Sequence, residues 1–233
     1  MARRPIFVPT VQGRVLVETM YAEFQWHPGM AASQKQKSVS SLHAVAIEHG
    51  ICRVPLEIST KSTEPLGVSL SAFNLEITTR KLGKTFSVEA AYQSSKVFER
   101  GGPFVDLLMK PAREAKADLR LKESGELTGF LFFGEEWSLD PRTSFYDWLY
   151  LNALNKCDEA VRWLDEFDAF TDIEFNPSKS VNCQAYSVAL YKSLQARGLI
   201  AEALSHRAAF LNVLAAFCIQ NASENTARQP RLV

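Results

Sequence analysis

The residues best suited to chemistry lie in one segment, residues 86–96. Ser87 is a favoured helix N-cap, so the segment predicts a helix with an acid in its first turn. Four side chains follow at the i, i+3, i+4 and i+7 spacing of one helix face: Glu89, Tyr92, Gln93 and Lys96. An acid, a phenol, an amide and an amine on one face could support acid/base catalysis. The alternative is a solvated face with a tyrosine packed at its edge.

A second candidate segment, residues 168–177, places acids between aromatic residues in a predicted loop before a helix. Loops that a rigid scaffold holds often carry function, and Asp172 is the central acid of this one. The alternative is a polar connector with aromatic anchors. Downstream, residues 178–182 end at Asn182 and could cap the next helix, whose N-terminus could also bind phosphate.

Large aromatic residues and an arginine form a third candidate group. Its members are Trp137, Arg142, Trp148 and Trp163. An arginine beside tryptophans can hold a nucleotide by charge and stacking. The alternative is that the tryptophans are core residues, because large aromatic side chains are mostly buried.

The composition excludes several classes of protein. The 233 residues include 26 Lys plus Arg and 26 Asp plus Glu, and 46% are hydrophobic. These values predict a folded core and exclude disordered, collagen-like and disulfide mini-protein chains. The balanced charge argues against strong non-specific nucleic-acid binding but leaves room for a local basic cleft. Four widely spaced cysteines indicate a reducing compartment, and the apolar runs are too short for a bilayer, so we expect a cytoplasmic protein with no membrane partner.

The common cofactor and metal motifs are absent from the sequence. There is no GxGxxG, P-loop, HExxH or GxSxG pattern, and the four histidines show no ligand spacing. We therefore expect neither a metal nor a cofactor. Without an activated serine or cysteine, carboxylates helped by a lysine would have to carry any catalysis.

The hydrophobic patterning predicts a helix-dominated α+β fold. Residues 5–25 and 51–63 are typical of strands, and residues 81–84 of a turn between two strands. Residues 167–182 predict irregular structure. Helices are predicted at residues 31–48, 87–99, 103–109, 111–122, 143–155, 157–166, 185–196 and 200–220.

Three segments together resemble a known family. Residues 70–74, LSAFN, resemble the LSNF motif of NADAR proteins, which have the YbiA-like fold and are tied to NAD and ADP-ribose metabolism. Residues 86–96, FSVEAAYQSSK, resemble the family's PTxEHYYQAxKF helix, and residues 182–185, NCQA, are similar to its late N-x-x-G/A element. The resemblance covers about residues 65–200, and the glutamate helix is its most specific part.

The sequence departs from the family pattern at several positions. The proline of the PT pair is Phe86, the histidine after the glutamate is Ala90, and the LSNF asparagine is Ala72. The family's D-x-x-W-G element corresponds at best to residues 172–176. The first 65 residues have no counterpart in the short members. The pattern looks most like the NADAR subgroup that serves as antitoxin to DarT-type DNA ADP-ribosyltransferases.

The resemblance implies a helix-rich NADAR fold and a division of the chain. We expect an extension at residues 1–64 packed on a main domain, a catalytic domain at residues 65–222, and a flexible tail at residues 223–233. It also implies removal of ADP-ribose from guanine bases of single-stranded DNA by hydrolysis of an N-glycosidic bond, with a DarT-type toxin as partner. Such a bond breaks through an oxocarbenium-like state, which a nearby carboxylate stabilises.

The resemblance also implies roles for individual residues. Glu89 would be the main acid/base group near the anomeric carbon, and Asp172 a second carboxylate that positions water or stabilises positive charge. Lys96 would contact a phosphate, protonate the leaving amine or attack an opened ribose as an imine. The expected ligand-binding residues are Ser71, Phe73, Asn74, Tyr92, Gln93, Trp137, Arg142, Trp148 and Asn182.

Two other functions stay open at the level of sequence. One is a non-catalytic ADP-ribose reader or an antitoxin that occludes its toxin. A pure binder has no use for a carboxylate beside an anionic diphosphate, which favours the enzyme, whereas the missing histidine at Ala90 points the other way. The second is an N-glycosidase of a small ribosylated metabolite of the riboflavin-pathway type, which the near-zero net charge favours slightly over a long DNA contact.

Overall fold

The chain folds into two units that are interleaved in sequence. The structure, a computed structural model, describes residues 1–79, 83–178 and 180–218. The first unit combines residues 1–68 with the chain from residue 158 onward, and the second unit is residues 69–157. Helices and sheets are mixed throughout, so the α+β class is confirmed. Residues 81 and 82 of the predicted turn and the predicted tail at 223–233 lie outside the described residues.

Short strands and helices make up both units. The strands are β1 (Ala2–Pro9), β2 (Val17–Phe24), β3 (Pro55–Glu57), β4 (Glu76–Thr78), β5 (Thr85–Ser87), β6 (Lys96–Phe98), β7 (Leu127–Phe132), β8 (Glu135–Trp137) and β9 (Ala169–Thr171). The helices are α1 (Ala32–Glu48), α2 (Pro65–Ser69), α3 (Val88–Ser94), α4 (Ala112–Ala117), α5 (Arg120–Glu123), α6 (Ser144–Leu154), α7 (Asp158–Trp163), α8 (Gln184–Ala196), α9 (Ile200–Ala203) and α10 (Arg207–Ala215). Two 3₁₀ turns lie at Val105–Met109 and Leu164–Glu166.

A four-stranded sheet with the order β2-β1-β9-β3 organises the first unit. Strand β9 pairs antiparallel with β1 and parallel with β3. Because successive strand residues point to opposite faces, neighbouring residues of β1 bury against different partners. Ile6 joins the core cluster with Leu42 of α1, whereas the ring of Phe7 lies 5.6 Å from that of Tyr186 of α8. The sheet of this unit therefore packs between α1 and α8.

The segment that the sequence predicts to be irregular contains the central strand β9. The strand has only three residues, Ala169–Thr171, and all three are buried. Three residues are too few to show a period, and acids flank them at Asp168 and Asp172, so the local pattern resembles a polar loop. Strands β1, β2 and β3 thus share one sheet with a strand that follows them much later in the sequence. The expected catalytic domain at residues 65–222 stays a prediction.

The second unit carries the predicted glutamate helix between a hairpin and a sheet. Strands β4 and β5 form the hairpin, with Ile77 opposite Phe86, and β5 runs directly into α3. Strands β6, β7 and β8 form an antiparallel sheet. Helix α3 packs against α4, α6 and the 3₁₀ turn at Val105–Met109. These contacts fix the orientation of α3 within the unit.

Two predicted helices end earlier than expected. The hydroxyls of Ser94 and Ser95 both donate to the carbonyl oxygen of Ala91, at 3.0 and 2.7 Å, and compete with helical hydrogen bonds. Helix α3 ends there, so the prediction of a helix to residue 99 is wrong, and Lys96 begins β6 instead. The predicted helix at 200–220 is divided into α9 and α10, because His206 caps α10 by accepting the Ala209 N–H. The last two residues of that prediction lie outside the described residues.

Candidate active site

Two hydrogen bonds fix the backbone around Glu89. The Ser87 hydroxyl accepts the Ala90 N–H at 3.1 Å, which confirms the predicted N-cap. The Glu89 N–H donates to the carbonyl oxygen of Ala72 at 2.9 Å. This bond joins the first turn of α3 to the segment 70–74. Two of the segments that predict a site, separated by a hairpin in sequence, are therefore adjacent in the structure.

The two oxygens of the Glu89 carboxylate have different surroundings. Oε1 accepts a hydrogen bond from Gln93 Nε2 at 2.8 Å and lies 3.4 Å from Lys116 Nζ. Oε2 accepts no hydrogen bond from any residue that the structure describes. Glu89 is only 5% exposed, whereas the side chain of Lys116 is 56% exposed. The carboxylate is thus fixed through one oxygen, and the other is available to a ligand.

Lys96 stays close to the glutamate even though it is not on the helix. Its ammonium lies 4.8 Å from the centre of the Tyr92 ring, at cation–π distance. Burial lowers the pKa of Lys96 to about 8, with the Glu89 charge acting in the opposite direction and the Lys116 charge lowering it further. With that pKa, about a tenth of the amine is neutral at pH 7. Lys96 can therefore give up a proton under physiological conditions.

The segment 70–74 forms a tight backbone turn beside Glu89. The carbonyl oxygen of Ser71 accepts the N–H groups of Asn74 and Leu75, at 2.8 and 2.7 Å. Ser71 is buried, Phe73 is half-buried and Asn74 is exposed. The ring centre of Phe73 lies 4.9 Å from Lys116 Nζ. Of the three ligand-binding residues predicted here, Phe73 thus contacts a cation that also contacts Glu89.

The predicted tryptophan group is only partly assembled. Trp137 and Trp148 pack against each other within the second unit, with ring centres 5.2 Å apart and ring planes tilted by 43°, and Trp137 is buried. The indole N–H of Trp148 is buried and meets no acceptor among the described residues. Arg142 is exposed and makes no described cation–π contact with either ring, and Trp163 lies in the first unit with an exposed side chain. Trp137 is therefore a core residue, and Trp148 is half-buried beside it.

Asp172 and Asn182 belong to the first unit, where Asp172 is buried directly after β9. Its Oδ1 accepts the N–H groups of Glu174 and Phe175 at 3.0 and 3.2 Å, and its Oδ2 accepts Gln184 Nε2 at 3.0 Å. Burial, together with the charge of Glu57, raises the pKa of Asp172 to about 8. Asp172 is therefore mostly protonated at neutral pH.

A second buried carboxyl group, that of Glu57 on β3, accompanies Asp172. Oε1 of Glu57 accepts from Ser59 and from the Ile173 N–H at 2.7 and 2.8 Å, and Oε2 accepts the Thr171 hydroxyl at 2.6 Å. The Thr171 hydroxyl proton is donated to Glu57, so this hydroxyl oxygen acts as the acceptor towards His43 Nε2, which lies 2.8 Å away and donates to it. Burial raises the pKa of Glu57 and lowers that of His43 to about 4. This network links β3, β9 and α1.

The structure brings together Glu89, Gln93, Lys96, Tyr92 and Phe73 in the second unit, and it adds Lys116. Sequence reasoning missed Lys116 because nothing in the local pattern of α4 points to a residue 27 positions earlier. It also missed Glu57. Here a signal existed, since an acid between Leu56 and Ile58 in a short strand has to be paired when it is buried.

Comparison with known families bears on the whole chain. The family model of DarT1-associated NADAR antitoxins matches residues 2–224. The chain belongs to this family. The match includes nearly all of the first 64 residues. Strands β1, β2 and β3 and helix α1 are therefore part of the antitoxin family's pattern. It extends well beyond residues 65–200, where the sequence motifs lie. No curated protein matches the chain.

Two kinds of feature are absent from the part of the antitoxin that the structure describes. Over residues 1–79, 83–178 and 180–218, no helix is long and apolar enough to cross a membrane. In the same ranges, no group of three or more His, Cys, Asp or Glu side chains could hold a metal ion.

Proposed function

We propose that the protein is an ADP-ribosyl-guanine glycohydrolase that removes ADP-ribose from guanine bases of single-stranded DNA, as antitoxin to a DarT-type toxin. The observation that carries the proposal is the buried Glu89 carboxylate, fixed through Oε1 and open at Oε2, beside a lysine that can release a proton. Membership in the DarT1-associated antitoxins supports a DarT-type toxin as partner, and we infer the substrate from that association.

Glu89 would stabilise the breaking bond. Cleavage of the bond between the ribose anomeric carbon and the guanine amino nitrogen develops positive charge on the sugar, and a carboxylate oxygen near that carbon stabilises it. Oε2 is the oxygen that suits this role, because Oε1 is engaged by Gln93 and Lys116. After the guanine leaves, the same carboxylate accepts a proton from the attacking water.

Lys96 would protonate the leaving group. A half-buried ammonium with a pKa of about 8 is mostly charged at pH 7 and is a stronger acid than an ordinary lysine. Its proton passes to the guanine amino nitrogen while the electrons of the breaking bond move to that nitrogen. Water then adds to the anomeric carbon. The products are free ADP-ribose and unmodified guanine in the DNA.

Asp172 has a supporting role in this proposal. With a pKa near 8 it is mostly neutral at pH 7, so it can donate a hydrogen bond but stabilises positive charge poorly. Its predicted role as a second carboxylate, which positions water or stabilises positive charge, therefore stays a prediction from the resemblance. If Asp172→Ala keeps its turnover but loses ADP-ribose binding, Asp172 is a ligand contact and has no part in catalysis.

A release assay tests the proposed function. Purified protein is incubated with a single-stranded oligonucleotide carrying ADP-ribose on guanine, and free ADP-ribose is measured by mass spectrometry. An oligonucleotide with ADP-ribose on thymidine is the control. Release from guanine alone supports the proposal. No release together with tight ADP-ribose binding would point to a reader or an occluding antitoxin, and neither release nor binding would point to the small-metabolite glycosidase.

A further inference from the structure

Lys116 is a cation whose position the proposed hydrolysis does not use. It lies near the end of α4, and its ammonium contacts Glu89 at 3.4 Å and the Phe73 ring at 4.9 Å. Other cations nearby in sequence are engaged elsewhere: Lys110 and Arg120 form ion pairs with Asp106 and Asp118. In the part of the second unit that the structure describes, Lys116 is the cation that forms an ion pair with the buried glutamate.

We propose that Lys116 is the diphosphate-binding residue of the site, and that its ammonium moves from Glu89 to the diphosphate when a nucleotide diphosphate sugar binds. This inference rests on the proposed function, since it concerns how the same site accepts its ligand. It assigns a ligand contact to a residue outside the three sequence motifs that resemble the family.

The charges of the site require such a residue. A diphosphate brings two negative charges to a site that already holds the buried Glu89 carboxylate, and like charges at short range repel each other. A cation that can lie between them removes the repulsion. Lys96 is less suited to this role, because it is half-buried and its ammonium lies over the Tyr92 ring, whereas Lys116 is exposed and can face an incoming ligand.

The exchange of partners is easy for this lysine. Water screens this ion pair in part, because the side chain of Lys116 is 56% exposed, so the ammonium can reach a ligand in solvent. The diphosphate offers two charges in place of one and several acceptor oxygens. The face of Phe73 keeps the ammonium near Glu89 during the exchange, since a cation is attracted to an aromatic ring. Glu89 Oε1 then keeps Gln93 as its hydrogen-bond partner.

Ligand binding by variants tests the proposal without requiring turnover. Lys116→Gln removes the charge, Lys116→Arg keeps it, and Arg113→Gln removes an exposed charge from the same helix as a matched control. Affinities for ADP-ribose, ADP and adenosine are measured by calorimetry at several salt concentrations. We expect Lys116→Gln to bind ADP-ribose and ADP about tenfold more weakly, or worse, with a smaller salt dependence. Adenosine binding should not change, Lys116→Arg should recover most of the affinity, and Arg113→Gln should match the wild type.

Three results would overturn the inference. They are wild-type affinity of Lys116→Gln for ADP-ribose, an equal loss of adenosine binding, and absence of ADP-ribose binding by the wild-type protein. Its failure is separable from failure of the proposed function. A wild-type protein that releases no ADP-ribose, but whose diphosphate binding depends on Lys116, retains the subsite and loses only the hydrolase assignment.

Discussion

Replacing Glu89 by glutamine tests whether the carboxylate is needed for turnover separately from whether it is needed for folding. The amide oxygen of glutamine can still accept the hydrogen bond that Gln93 donates over 2.8 Å. The change also removes the ion pair with Lys116, whose side chain is 56% exposed. A pair so accessible to solvent contributes at most about 1 kcal/mol, so the folded state should survive.

The expected loss of activity is far larger than the loss of stability. Removal of an acid/base or charge-stabilising group usually lowers turnover by about a hundredfold or more, which corresponds to about 2.7 kcal/mol of activation free energy. The amide has no charge to stabilise an oxocarbenium-like state and cannot accept the proton of water. We therefore expect Glu89→Gln to turn over at least about a hundredfold more slowly while its free energy of unfolding changes by no more than about 1 kcal/mol.

Single-turnover release of ADP-ribose and urea denaturation measure the two quantities on the same sample. Glu114→Gln is the matched control, because Glu114 is an exposed acid of α4 that forms no ion pair in the described part of the chain. It should retain wild-type turnover. A Glu89→Gln variant that turns over within threefold of the wild type would remove this carboxylate from the mechanism, whatever its stability.

Two further predictions concern proton equilibria. If Lys96 is the proton donor, kcat of the wild-type protein should fall about tenfold per pH unit above pH 8, where the ammonium deprotonates. Lys96→Gln should lose activity and should no longer show this alkaline decrease. A wild-type kcat that does not change above pH 8 would refute Lys96 as the proton donor. For Asp172, the raised folded-state pKa means that the folded protein keeps a proton that the unfolded chain loses above about pH 4, so stability falls as pH rises towards 8. The lowered pKa of His43 has the opposite effect, but only below about pH 6.5. Between pH 6.5 and 8, the free energy of unfolding should therefore fall more steeply in the wild type than in Asp172→Asn, by about 1.4 kcal/mol per pH unit at the lower end and about half of that near pH 8. Parallel plots of unfolding free energy against pH in that range would contradict this.

The parts of the site that local sequence patterns predict are those that local interactions build. Ser87 caps α3 as expected, because an N-cap needs only a hydroxyl and an N–H three residues on. The end of the same helix was predicted wrongly, since Ser94 and Ser95 divert their hydroxyls to the backbone and the chain turns into β6. Lys96 nevertheless stays near Glu89, through the sheet and not through helical spacing. Lys116 depends on the packing of α4 against α3, which no local pattern encodes.

The position of β9 has a consequence for how the polypeptide reaches its native state during synthesis. A ribosome releases β1 and β3 long before it reaches residues 169–171, yet β9 is the strand that lies between them. Until then, both strands have edges with unpaired backbone groups, which is a hazard for aggregation. Contacts so distant in sequence also slow folding. A nascent chain interrupted before β9 would therefore be a target for chaperones and proteases, and the antitoxin would complete this sheet only after residue 171 has been synthesised.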